Sequence, residues 1–183
     1  MLKNIFFLPI ILIIVFVGTG CQPEPEEFDQ SALIVVNNYV EEMSAALLDE
    51  TLIADLKGWI RDYYAEVELP LSYDEERRQW LSEHRTNLSE VRDRHLEGSF
   101  PTEEEIATWQ VVVVRGDNEW LLEGAEVLAA LDRLEEIYAE TVGVIDIIIN
   151  SGGELDLPQS ESVLEFIENI EPQVSEVRGI FFR

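Results

Sequence analysis

An all-α fold, a mostly antiparallel bundle of four to five helices with one or more long ones among them, is what this sequence predicts. Three observations lead there. Apolar residues recur at steps of three and four over most of the 183 residues, the spacing of one helix face. Charged residues make up 27% of the chain and fill the positions between. Proline and glycine cluster at a few points and divide the periodic stretches into segments of helix length.

The first helix begins near Asp29, with Leu33, Val36, Val40, Met43 and Leu47 on its inner face. Ile53, Leu56, Ile60, Tyr63 and Val67 repeat the pattern in a shifted register. Asp49-Glu50-Thr51 is therefore either a turn between two helices or a skip within one. Leu69-Pro70-Leu71 closes this region, because proline disfavours helix in the residue before it. A helix over about 74–97 follows. In it Glu76, Glu83, Glu90 and Glu97 recur every seven residues, as do Arg78, Arg85 and Arg92. Leu81, His84, Leu88, Val91 and His95 form its narrow inner stripe. Asp74 with Arg78 and Glu90 with Arg94 are acid-first pairs at i,i+4, each worth about 0.2–0.5 kcal/mol. Gly98-Ser99 ends this helix.

Thr102 and Glu105 form a capping box. Helical spacing then runs through Ile106, Trp109, Val113, Trp120, Val127, Leu134, Tyr138, Ile145 and Ile149. Val111–Val114 has the β-branched content of a strand, but the periodicity on both sides predicts helix through it. Residues 103–150 are read as one long helix in preference to two that meet at Arg115-Gly116-Asp117-Asn118. Ser151-Gly152-Gly153 is a stop signal. Val163, Ile167, Ile170, Val174, Val177 and Phe181 continue in register across Pro172, which predicts a kinked last helix with a docked apolar end. No strand is expected.

Residues 1–20 stand apart. Lys3 is followed by Ile5 to Val17, apolar apart from the break at Pro9. The run is shorter than the ~20 residues of a membrane span and suits the apolar region of a signal peptide. Gly18-Thr19-Gly20 then precede Cys21, the only cysteine of the chain. This segment resembles the signal of bacterial lipoproteins, with Gly18 where that family usually has leucine. The resemblance implies cleavage before Cys21, lipidation of Cys21 with fatty acids such as palmitate, and a lipid-anchored place in the cell envelope. Gln22 in place of aspartate implies, for a Gram-negative host, the outer membrane facing the periplasm.

On this reading residues 1–20 are a signal peptide, 21–30 an acidic, proline-containing tether, and 31–183 a single helical-bundle domain. Gln22–Gln30 spans about 28 Å if extended at about 3.1 Å per residue. That exceeds a Debye length of about 8–10 Å, so the domain can stand off the membrane. With Cys21 acylated, no internal disulfide forms, and the fold rests on apolar burial alone.

The formal net charge of −26 excludes nucleic acid as a partner, because such binding needs a basic footprint. The chain lacks HExxH, a P-loop, GxSxG, CxxC and CxxCH. Leu81 and Arg92 occupy the positions three before His84 and His95, so the Glu-x-x-His pairs of a di-iron bundle are missing. The two histidines are eleven apart, roughly 16 Å along a helix, too far to share a metal. They read as seam residues bonded to nearby carboxylates. Met43 reads as a core filler rather than a haem ligand, and Trp59, Trp80, Trp109 and Trp120 as core candidates. No catalytic residue, cofactor or metal site is expected, and no enzymatic role.

The function expected is that of a lipid-anchored envelope module, structural or protein-interacting. It reaches the membrane through Cys21 and pairs with an envelope protein or with itself. The rival reading is a periplasmic lipoprotein that binds a small ligand or a cation.

Overall fold

The computed structural model describes residues 12–14, 30–54, 56–57 and 75–183. Cys21, the tether up to Asp29, and Trp59, Ile60, Tyr63, Val67 and Asp74 lie outside the described residues.

The fold is a helical bundle, all-α in class, with a small sheet set into one side. Five helices are described over their full length: α1 (Gln30–Leu47), α2 (Glu75–Leu96), α3 (Glu103–Ala107), α4 (Gly124–Ser151) and α5 (Leu157–Phe181). The inner face read for α1 is the buried one: Leu33, Val36, Val40, Met43 and Leu47 are all in the core. Each such side chain contributes about 1.5–3 kcal/mol by leaving water. Leu48 and Asp49 then leave the helix, and residues 50–54 and 56–57 are helical again. Asp49 Oδ1 accepts from the Thr51 and Leu52 amides, both at 2.9 Å, so a capped turn separates two helices there.

Helix α2 buries Leu81, His84, Leu88 and Val91, four of the five residues read as its narrow stripe, while the fifth, His95, is half-buried. Arg85 pairs with Asp146 and Arg92 with Glu135 on α4, so a forward step along α2 is a backward step along α4. The two helices are antiparallel. The expected Glu90–Arg94 pair is not made: Arg94 Nη2 reaches Glu42 Oε2 on α1 at 2.6 Å instead. A carboxylate on the neighbouring helix holds the guanidinium more closely than one on its own exposed face.

The main departure from expectation lies between Thr102 and Gly124. The capping box forms, with the Thr102 hydroxyl accepting from the Glu105 amide and Glu105 Oε2 accepting from the Thr102 amide at 2.7 Å. The helix it caps, α3, ends after five residues. A β-hairpin follows, β2 (Gln110–Arg115) and β3 (Asn118–Glu123). The expectation of helix through 103–150, whether continuous or broken, is thereby corrected. Along β2, Val111 and Val113 are buried while Val112 and Val114 are half-exposed. That is a period of two, and the four β-branched residues suit a pleated strand. Gly116, with φ +62°, opens the two-residue turn, and a primed turn of this kind matches the twist of a hairpin. Trp109, Val113 and Trp120 satisfy helical spacing by coincidence of length.

A third strand, β1 (Leu12–Ile14), pairs antiparallel with the outer edge of β2, Leu12 opposite Val114 and Ile14 opposite Val112. It lies inside the segment that the sequence marks as a signal peptide.

Helix α4 is the hub, touching α1, α2, α3, α5 and β3. It starts at Gly124, whose amide donates to Trp109 O at 2.9 Å and extends the hairpin ladder by one rung. It ends as expected, with Gly152 in the left-handed region (φ +64°) and its amide returning to the carbonyls of Ile148 and Ile149. Helix α5 opens with a second capping box, Asp156 with Gln159, and runs through Pro172 to Phe181. All six residues read as its inner face are buried, and Phe181 docks the chain end in the core.

Candidate functional site

A cluster of polar side chains lies on the seam where α1, α2 and α4 meet. Tyr39 is carried inward on α1 and is 1% exposed. Its hydroxyl donates to Glu135 Oε1 on α4 at 2.6 Å. The second oxygen of the same carboxylate, Oε2, accepts from Arg92 Nε on α2 at 2.7 Å. One carboxylate thus joins three helices. The Arg92 guanidinium also lies over the Tyr138 ring, 5.5 Å from its centroid, and the Tyr138 hydroxyl is 3.0 Å from Ser89 Oγ. Burial, then the bond to Glu135 and its negative charge, hold the Tyr39 phenol well above its ordinary range. The hydrogen bond to Glu135 raises the Arg92 guanidinium in turn.

The two histidines take separate places. His95 extends the seam: Nε2 is 3.0 Å from Glu42 Oε2, and its ring is tilted against Tyr39 at 5.8 Å. Phe100 meets Tyr39 edge-on at 5.6 Å. His84 sits at the far end of α1. It is buried, stacks on Trp80 at 5.8 Å, and bonds to the carbonyl of Ala46. That carbonyl belongs to the last turn of α1, where helix carbonyls have no partner within the helix. Nε2 of His84 is buried without a hydrogen-bond partner. Burial lowers its pKa below 6.5, while the Asp49 charge and the Ala46 bond oppose the shift.

The chain matches no family model, no curated protein and no solved structure.

Chemically, the seam is engaged with itself. Glu135 has both oxygens in use, and Glu42 accepts from Arg94 while contacting His95. Among the described residues no group of three or more His, Cys, Asp or Glu side chains is arranged to hold a metal. Met43 is fully buried in the core. Trp109 is buried in the core, as read; Trp80 and Trp120 are half-buried against it, with Trp80 stacked on His84. The Arg115-Gly116-Asp117 tripeptide is the exposed tip of the hairpin.

Sequence reasoning missed Tyr39 and Glu135 as partners. They are 96 residues apart, and no local pattern links them. One signal was available in part: the seven-residue recurrence of arginine on α2 marks a row, and two of its members, Arg85 and Arg92, reach across to α4. Cys21, the one residue to which the sequence assigns a modification, lies outside the described residues. No helix among the described residues is long and apolar enough to cross a membrane.

Proposed function

We propose that this chain is a lipid-anchored helical bundle of the cell envelope that acts as a structural or protein-interaction module, attached through Cys21. The observation that carries this reading is the order of residues at the start: Lys3, the apolar run to Val17, Gly18-Thr19-Gly20, and a solitary cysteine. The acidic, proline-containing stretch beyond Cys21 fits a tether, and the net charge of −26 favours standing off an anionic surface. The self-engaged seam of α1, α2 and α4 fits a scaffold, because its carboxylates are bonded to phenol and guanidinium groups of neighbouring helices.

The test is Cys21→Ser in the native host. The wild-type chain should incorporate labelled palmitate, lose residues 1–20 by mass spectrometry and fractionate with membranes. The variant should do none of the first two. Equal label incorporation in both, or a wild-type chain still starting at Met1, would refute the reading.

A further inference from the structure

A groove of about 360 Å³ runs along the outer junction of α4 and α5. Val144, Ile147 and Phe166 form its floor, Gly143 opens one wall, and Glu140 and Glu165 stand on its rims. Glu140, Gly143 and Ile147 are spaced i, i+3 and i+7, one stripe of α4 about 10 Å long at 1.5 Å per residue. A Cβ built on Gly143 would meet nothing within 4 Å. This glycine therefore serves no internal close approach, and its missing side chain leaves room that faces outward.

The charge around the groove has one sign. From Leu134 to Val177 the chain contains no lysine, arginine or histidine, while Glu140, Glu161, Glu165, Glu168 and Glu171 fall within that stretch. Three other acids in it are paired with arginines outside the stretch: Glu135 with Arg92, Glu136 with Arg133 and Asp146 with Arg85. Glu140 and Glu165 have no ion-pair partner among the described residues. An apolar floor between two unpaired carboxylates is complementary to a helix with an aliphatic stripe flanked by cations. Such rim charges act mainly on encounter rate and choice of partner.

We propose that the α4–α5 groove docks a basic amphipathic helix of a partner protein. Its aliphatic side chains enter between Gly143 and Phe166, and its lysines or arginines meet Glu140 and Glu165. The inference rests on the reading of the chain as an interaction module and names the chemistry of the partner.

The probe is a synthetic amphipathic helical peptide of leucine and lysine, compared with one in which glutamate replaces lysine, titrated against the full-length protein in detergent. The basic peptide should bind, more weakly as salt rises, and the acidic one should not. Gly143→Leu fills the groove with a good helix former and should weaken binding at least tenfold with no loss of thermal stability. Glu140→Gln with Glu165→Gln should weaken it several-fold and flatten its salt dependence. Undiminished binding by Gly143→Leu, or no binding to the wild type, would overturn the groove. A photocrosslinker at Ser162 (in the groove) and another at Glu83 (outer face of α2), used in native membranes, separate the two levels of the claim. Crosslinks from Ser162 that map to a basic amphipathic helix of the captured protein support the groove, and crosslinks from Ser162 that map only to other segments overturn it. Crosslinks from Glu83 alone overturn it and leave the interaction reading standing, and none from either site overturns both.

Discussion

Gly124→Ala should be strongly destabilising, although alanine is the better helix former. A Cβ at this position would stand 1.9 Å from the carbonyl oxygen of Ile106 and 2.9 Å from the carbonyl carbon of Ala107. Both are backbone atoms, so no side-chain rotation relieves the clash, and α3 must retreat from α4 by more than an ångström. Ile106 is 1% exposed, and its carbonyl accepts from the Trp109 amide at 2.9 Å. The retreat therefore disturbs that bond, the Gly124–Trp109 bond and a core contact together. Overpacking costs about 1–3 kcal/mol, and each weakened hydrogen bond adds about 1 kcal/mol, so a loss of about 3 kcal/mol is expected. With a urea slope of about 2 kcal/mol/M, the unfolding midpoint should fall by about 1.5 M. Gly143→Ala is the control in the same helix. With open space at its Cβ, only the helix-propensity gain of about 0.5–1 kcal/mol remains, and the midpoint should rise. A Gly124→Ala midpoint equal to or above that of the wild type would refute the close packing of α3 on α4.

Other expectations follow from the seam and the sheet. Tyr39→Phe removes the 2.6 Å bond to Glu135 and should cost about 1–2 kcal/mol; an unchanged thermal midpoint would show that the bond contributes nothing. His84 titrates below 6.5 in the fold because burial disfavours its cation. The unfolded chain then takes up the proton first, so the stability contributed by neutral His84 is present above about pH 6.5 and is lost as pH falls through the folded value. His84→Gln should flatten the fall of the urea midpoint between pH 7.5 and 5, and an identical slope in both proteins would remove His84 from the explanation. In the alternating antiparallel ladder, the amides of Val112 and Val114 point away from β3 and towards β1. A chain beginning at Gln22 should exchange these two amides faster than the full chain, with Val111 and Val113 unchanged; equal rates would exclude the β1 pairing.

Much of the bundle was legible because amphipathic helices write their buried face locally. The stripes Leu33–Leu47, Leu81–Val91 and Val163–Phe181 were read from spacing and are buried. The boundary signals held for the same reason. Thr102 with Glu105 and Gly152 act through backbone groups within one turn of themselves, so their meaning travels with the sequence. The hairpin was misread because Ile106, Trp109, Val113 and Trp120 satisfy a period near 3.6 over this short span, while the buried-and-exposed alternation of the valines stands out only once one face is packed. Four consecutive apolar residues carry no period of their own.

By itself the sequence determined the helical class, the inner faces of α1, α2 and α5, and the caps and stops, all of which depend on residues within a turn or two of one another. It also supplied the acidic surface and the anchor-like order of residues around Cys21. Only the tertiary structure decided that a hairpin interrupts the helices after Ala107, that α2 and α4 run antiparallel with Arg85 and Arg92 bridging them, and that Tyr39, Arg92 and Glu135 meet at one carboxylate. It also brought Glu140 and Glu165, which have no ion-pair partner among the described residues, to one groove with an open glycine. Such contacts join residues tens of positions apart, and their geometry follows from how the helices cross rather than from any pattern within one helix.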